Sequence, residues 1–186
     1  MEDLISISKV VVKLLLRLAN AEEKIEIKMK GSMDLDIFKV VSEGSCWYGQ
    51  LNSLNIIKYM IIDQSVGSED YYSFLLTKDD LFLPTKNKVN RVGGLARADS
   101  AAIVNVGNSS INSDHMRIVV LIYHELGHMF GVPRSGRPED SLDLSSGVHC
   151  NNVCVMRKDD KMINEIVGMD LFCPACLEEL RDYFKK

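Results

Sequence analysis

At 186 residues the chain has the length of one compact domain with room for a small appended lobe, and its 46% apolar content supplies a core. Charged residues make up 26% and the net charge is -4, so nothing electrostatic points to nucleic acid or an anionic membrane as a partner. No internal repeat or low-complexity tract is present.

In chain order, the first patterned segment is residues 10–18, strongly apolar but broken by Lys13 and Arg17 and preceded by Lys9. A secretory signal wants a basic start, whereas this chain opens Met1-Glu2-Asp3, and a membrane span needs about 20 mostly apolar residues. The segment therefore reads as an amphipathic helix packed on a core, and the protein is expected in the cytoplasm. Residues 24–30 alternate Ile25, Ile27 and Met29 with charges, a half-exposed strand pattern, and residues 38–41 suggest another strand. The spacing of Leu54, Ile57, Met60 and Ile61 predicts a helix over residues 52–62. Residues 72–76 and 101–106 look like short buried strands, with a polar loop at residues 84–90 between them. Alternating helices and strands followed by a helix-dominated end form an α/β (α+β) layer pattern.

The clearest helix runs over residues 116–130. Ser113 or Asp114 can cap it, Gly131 supplies a permissive position at its end, and Pro133 stops it. Near that end stands His124-Glu125-Leu126-Gly127-His128. Helical residues four apart lie on one face, so both histidines can present imidazoles to one metal ion at about 2.0–2.1 Å. Glu125, beside the first, can reach a water on that metal and act as general base. Zinc brings the pKa of such a water toward about 7. The bland alternative is a helix with two satisfied histidines. The well-formed amphipathic helix, and the glycine three residues after His128, weigh against it. His115 falls nine residues before His124, on the opposite side of the helix at about 100° per residue, and reads as a surface residue.

Residues 134–147 are rich in Ser, Gly and acids, too polar to bury, and predict a surface loop. The cysteines are Cys46, Cys150, Cys154, Cys173 and Cys176. Cys46 stands alone and reads as a small buried thiol. In a reducing cytoplasm the other four, paired and ending in a CxxC, read as ligands of a structural zinc whose coordination sphere they close. Such a site contributes folding free energy directly, on the order of 10 kcal/mol. A catalytic zinc normally takes three protein ligands. The one remaining histidine is His149, and its neighbour Cys150 would anchor it there. Residues 177–184 predict a short closing helix.

Together these residues resemble the archaemetzincins, zinc proteins with a metzincin-like fold. That family's HExxHxxG, His-Cys, CxM and CxxC elements are matched by His124, Glu125, His128 and Gly131, then His149-Cys150, Cys154 with Met156, and Cys173 with Cys176. Upstream, Gly49-Gln50-Leu51-Asn52, Leu76-Thr77-Lys78-Asp79-Asp80-Leu81 and Gly94-Leu95-Ala96 are similar more loosely. The resemblance implies a single domain over residues 1–186, with a mixed twisted sheet, an active-site helix, a backing helix and a cysteine-zinc subdomain at residues 149–186. It implies two Zn2+ ions. His124, His128 and His149 would hold a catalytic one, with Glu125 as base, and Cys150, Cys154, Cys173 and Cys176 a structural one. It places Met156 in a methionine turn beneath the catalytic zinc, and residues 91–96 in an edge strand that pairs with an extended substrate. The reaction would be hydrolysis of a peptide or protein substrate, with short peptides or chain N-termini preferred, an aminopeptidase-like activity.

The chain departs from the family pattern twice. Arg134 stands where the family has its third histidine, and His149 follows an insertion of about fifteen residues, which costs little chain entropy. Cys150 and Cys154 are also closer by one residue. Glu139, Asp140 and Asp143, inside the insertion, are alternative third ligands. The string Gly147-Val148-His149-Cys150 restores the family pattern and favours His149. Two rivals stand beside this reading. A regulatory zinc peptidase that cleaves one partner protein does not call for four cysteines. A non-catalytic zinc-stapled binding protein has no use for Glu125.

Overall fold

The computed structural model describes residues 2–21, 51–66, 72–84, 89–107, 115–145, 147–158 and 170–185. Cys46, the strands expected at residues 24–30 and 38–41, the capping pair Ser113 and Asp114, and the side chain of His115 lie outside the described residues. The architecture is mixed α/β, as the alternating pattern predicts, and it divides into two units: Met29–Asp114, and Met1–Lys28 with His115–Lys186.

The Met29–Asp114 unit runs β1 (Leu51–Asn52), α2 (Ser53–Val66), β2 (Ser73–Thr77), β3 (Leu81–Pro84), β4 (Val89–Val92), β5 (Gly94–Arg97) and β6 (Ala101–Asn105). Asn52 starts the helix: its Oδ1 accepts from the backbone N–H of Leu54 at 3.1 Å and of Asn55 at 3.2 Å, satisfying donors that a helix start leaves free. β6 pairs parallel with β2 and antiparallel with β5, and every one of its residues is buried. A central strand covered on both faces reads as a continuous apolar run, which Ala101-Ala102-Ile103-Val104 is. β3 joins β1 in parallel and β4 in antiparallel. Ile56, Ile57 and Met60 of α2 pack with Leu81, Ala101 and Ile103 as the core of this unit.

Two sequence expectations are corrected here. The loop expected at residues 84–90 is strand at both ends, where Pro84 pairs with Val89 and Leu83 with Asn90, while residues 85–88 lie outside the described residues. Within that stretch the described strand residues are Pro84, Val89 and Asn90, too few to carry a period-2 signal. Residues 91–96 are not one edge strand. They span the end of β4, a bend at Gly93 and the start of β5, and the two strands pair in different sheets.

In the other unit, α1 (Glu2–Leu18) packs against α3 (His115–Met129). Val11, Leu15 and Leu16 of α1 are buried, whereas Lys9, Lys13 and Arg17, spaced four apart, are exposed on the other side. Ile118, Ile122, Tyr123, Leu126 and Met129 form the buried stripe of α3. That helix ends in a Schellman turn. Val132 N–H donates to Gly127 O at 2.9 Å and Gly131 N–H to His128 O at 3.0 Å, with Gly131 at a φ of 70°. The chain then passes through a 3-10 turn (Glu139–Ser141), β7 (Leu142–Asp143) and β8 (His149–Cys150), and closes with α4 (Pro174–Tyr183). Among the described residues, no helix is long and apolar enough to cross a membrane.

The inserted segment is therefore not a bare surface loop. Leu142 is buried, β7 pairs antiparallel with β8, and the side chain of Arg137 is only 8% exposed. A guanidinium buries when it is paired, and Arg137 meets Glu179 of α4 through Nε at 2.7 Å and Nη2 at 2.7 Å.

Candidate metal centres

α3 presents His124 and His128 one turn apart, and β8 brings His149 to them. One ring nitrogen from each of the three lies within 4.8 Å of the others. The Nε2 atoms of His124 and His128 are 3.1 Å apart. His149 stacks on His124 with ring centroids at 5.3 Å and meets His128 edge-on at 5.0 Å. The strand ladder sets this position: β7 and β8 register Asp143 opposite His149 and Leu142 opposite Cys150. Of the acidic alternatives, Glu139 and Asp140 are exposed in the 3-10 turn, and the converging set is made of histidines.

Two features fix the rings. The Nδ1 of His124 lies 2.6 Å from the backbone carbonyl of Val155, which takes its N–H and leaves Nε2 facing the cluster. His149 follows Gly147, whose φ of 121° is a conformation that favours glycine, and a side chain there would come into contact with the His149 ring. Burial, followed by repulsion from His124 and His149, pushes His128 down to about 2, and burial also lowers His149. These imidazoles are thus held neutral, as metal ligands must be. Nδ1 of His149 is buried with no hydrogen-bond partner among the described residues.

Glu125 sits within the same helical turn, 6% exposed, and burial raises its carboxyl to about 8. Beneath the helix lies Met156, fully buried. A Cβ built on Gly127 would run into its Sδ and Cε, so glycine at this position is what lets the methionine close on the helix.

The four cysteines form a second cluster. Cys150, Cys154, Cys173 and Cys176 are buried free thiols whose sulfurs all lie within 4.8 Å of one another. Cys150 Sγ is 3.8 Å from Cys173 Sγ, and Cys154 Sγ is 3.8 Å from Cys176 Sγ. Hydrogen bonds from Cys154 and Cys176 hold the Cys150 thiol far below its ordinary range. Donating to Cys150 pushes Cys154 up to about 12, and Cys176 rises with it.

Zinc fits both donor sets. Sulfurs at about 2.3 Å from a tetrahedral zinc stand about 3.8 Å apart, and imidazole nitrogens at about 2.0–2.1 Å stand about 3.4 Å apart. The separations of 3.8 Å and 3.1 Å in the structure match these within a few tenths of an ångström. Four thiols crowded without a disulfide can only share protons, whereas a soft cation takes all four as thiolates.

The structure brings together both sets of residues that the sequence singled out, linked as expected through His149-Cys150, but a second link between them was missed. Val155 follows Cys154 directly, so the carbonyl that orients His124 belongs to the cysteine segment. Backbone bonds hold that segment in place, Cys150 N–H to Met156 O at 2.8 Å and Val155 N–H to Leu171 O at 2.7 Å. Arg137 was also missed. Its Nη1 donates to Cys150 Sγ at 3.5 Å and its Nη2 to Cys176 Sγ at 3.2 Å. An arginine in a polar stretch carries no signal that sets it apart from its neighbour Arg134.

No known protein family's sequence profile matches the chain, and no curated protein matches it. Solved structures do. Archaemetzincin from Methanopyrus kandleri is similar to this chain at a TM-score of 0.62 and 23% identity, over 96% of this chain and 88% of that one. Archaemetzincin from Archaeoglobus fulgidus, complexed with malonate, gives a TM-score of 0.46 and 22% identity, over 70% of this chain and 69% of that one. The likeness to the first establishes a metzincin-like fold, the fold expected from the motif.

Proposed function

We propose that this protein is a zinc-dependent metallopeptidase, with a catalytic zinc on His124, His128 and His149 and a structural zinc on the four cysteines. One observation carries the reading: three imidazole nitrogens converge, and the helix that supplies two of them carries the buried Glu125 next to the first. A zinc-stapled binding protein would need only the cysteine cluster. Zinc bound at the histidines would supply Lewis-acid chemistry to a water and to a substrate carbonyl. The protein's own part is to bring three imidazoles together and to keep His124 aimed through the Val155 carbonyl. Glu125 would accept a proton at its carboxyl oxygen and pass it on, and burial raises the affinity of that carboxyl for a proton. Peptide or protein is the substrate class, with short peptides and chain N-termini the first to screen. The four free thiols fit a reducing compartment such as the cytoplasm.

Zinc per chain, measured in the parent, Glu125→Gln and Cys173→Ser proteins, together with hydrolysis of a peptide library, tests the proposal. Two zincs are expected in the parent and in Glu125→Gln, with hydrolysis reduced about 10²–10⁴-fold by loss of the carboxylate. Equal activity in parent and Glu125→Gln would overturn the mechanism. One zinc in the parent would overturn the two-site assignment. Two zincs without hydrolysis of any peptide would favour the binding protein.

A further inference from the structure

The geometry points to Arg137 as a positioning residue for the structural metal: its guanidinium donates to two of the four cysteine sulfurs and tunes how tightly they hold zinc. This inference rests on the structural-zinc reading above.

The guanidinium is used on both edges. Nε and Nη2 form a fork onto the two carboxylate oxygens of Glu179, each at 2.7 Å. Nη1 and the second hydrogen of Nη2 face Cys150 Sγ at 3.5 Å and Cys176 Sγ at 3.2 Å. Arginine alone has five donors in one plane, so it can hold a carboxylate and two sulfurs together. Glu179, with its side chain 13% exposed, fixes that plane. Four thiolates around Zn2+ carry a net charge of about -2, and in a dry site that charge is stabilised by N–H donors. Asn152 adds a weaker one, its Nδ2 lying 3.6 Å from Cys173 Sγ. Each donor draws electron density from sulfur and makes the thiolate easier to keep.

Placement strengthens the case. Arg137 lies within the segment that is extra relative to the archaemetzincin pattern, 13 residues before Cys150 and 39 before Cys176. The insertion therefore returns to the cysteine cluster and fastens itself there. Its neighbour Arg134 reaches only the outside of α4, where its side chain donates to the Glu179 carbonyl at 3.4 Å.

Cobalt(II) is the probe, because sulfur-to-cobalt absorption arises only at the cysteines and so reports one of the two sites. Cobalt is titrated into the metal-free parent, Arg137→Met, Arg137→Lys and Glu179→Gln proteins, followed by that band and by circular dichroism. Arg137→Met is expected to bind about 10–100-fold more weakly at this site. Its band should move to longer wavelength, since sulfurs relieved of N–H donors hold their electrons less tightly. Arg137→Lys should recover part of both effects, and Glu179→Gln, which leaves the N–H donors in place, should show the smallest change. A role in loop anchoring alone would lower thermal stability and leave the band where it is. A folded Arg137→Met with the parent's band and affinity overturns the proposal. If that variant does not fold, an Arg137→Lys protein identical to the parent in band and affinity overturns it equally. A parent without the band overturns the structural-zinc reading and this inference together.

Discussion

The histidine cluster and the cysteine cluster share one dipeptide, His149-Cys150, yet they are built in opposite ways. All four cysteines are buried and surrounded by N–H donors from Arg137 and Asn152. The three histidines are only half-buried and have a carboxylate, Glu125, as the neighbouring polar group. A closed set of four ligands braced by N–H donors suits a metal that must not react. An open set of three beside a proton acceptor suits one that must. On the proposed reading, a structural and a catalytic role would differ in the surroundings of each cluster as much as in its ligands.

Removing one thiolate tests how far the two clusters depend on each other. Cys154→Ser should lower zinc per chain by one and take away much of a site worth on the order of 10 kcal/mol, read as a fall in thermal midpoint. Because Val155 would lose its anchor, hydrolysis should fall too. Unchanged hydrolysis in this variant would show the clusters to be independent. A smaller effect is expected at the contact between them. Gly127→Ala gains about 0.5–1 kcal/mol of helix propensity but must displace the buried Met156, and overpacking of that kind costs about 1–3 kcal/mol. The net should be a modest loss in denaturant midpoint with zinc content unchanged. A stabilised Gly127→Ala would mean that Met156 moves aside freely. Least of all should come from Arg134→Ala. The backbone N–H of Arg134 still donates to Glu179, and its exposed side chain stands 4.0 Å from Asp182, a pair worth under about 1 kcal/mol. An Arg134→Ala effect as large as that of Arg137→Met would erase the distinction drawn between the two arginines.

What the sequence disclosed follows from what repeats in it. His124 and His128 stand four apart on a strongly patterned helix, and the cysteines come in pairs, so type and spacing alone carry both donor sets. The apolar runs of β6 and α2 were legible for the same reason. Contacts between distant segments of unlike chemistry left no such mark. The β3–β4 pairing leaves no period-2 alternation across residues 84–90, and the fork from Arg137 to Glu179 joins residues 42 apart with no local pattern. That His149 comes round to the other two was indicated by the motif. The means, a two-residue ladder with β7, was not.

The carbonyl of Val155 has a consequence of a different kind. It belongs to the backbone, so every amino acid at position 155 brings one, and changing the side chain leaves the acceptor for His124 intact. A scan of alanine substitutions along this segment would pass over the position and credit its neighbours. Only a change to the main chain itself, such as an ester in place of the peptide bond between residues 155 and 156, would weaken that oxygen and disclose how much the orientation of His124 owes to it.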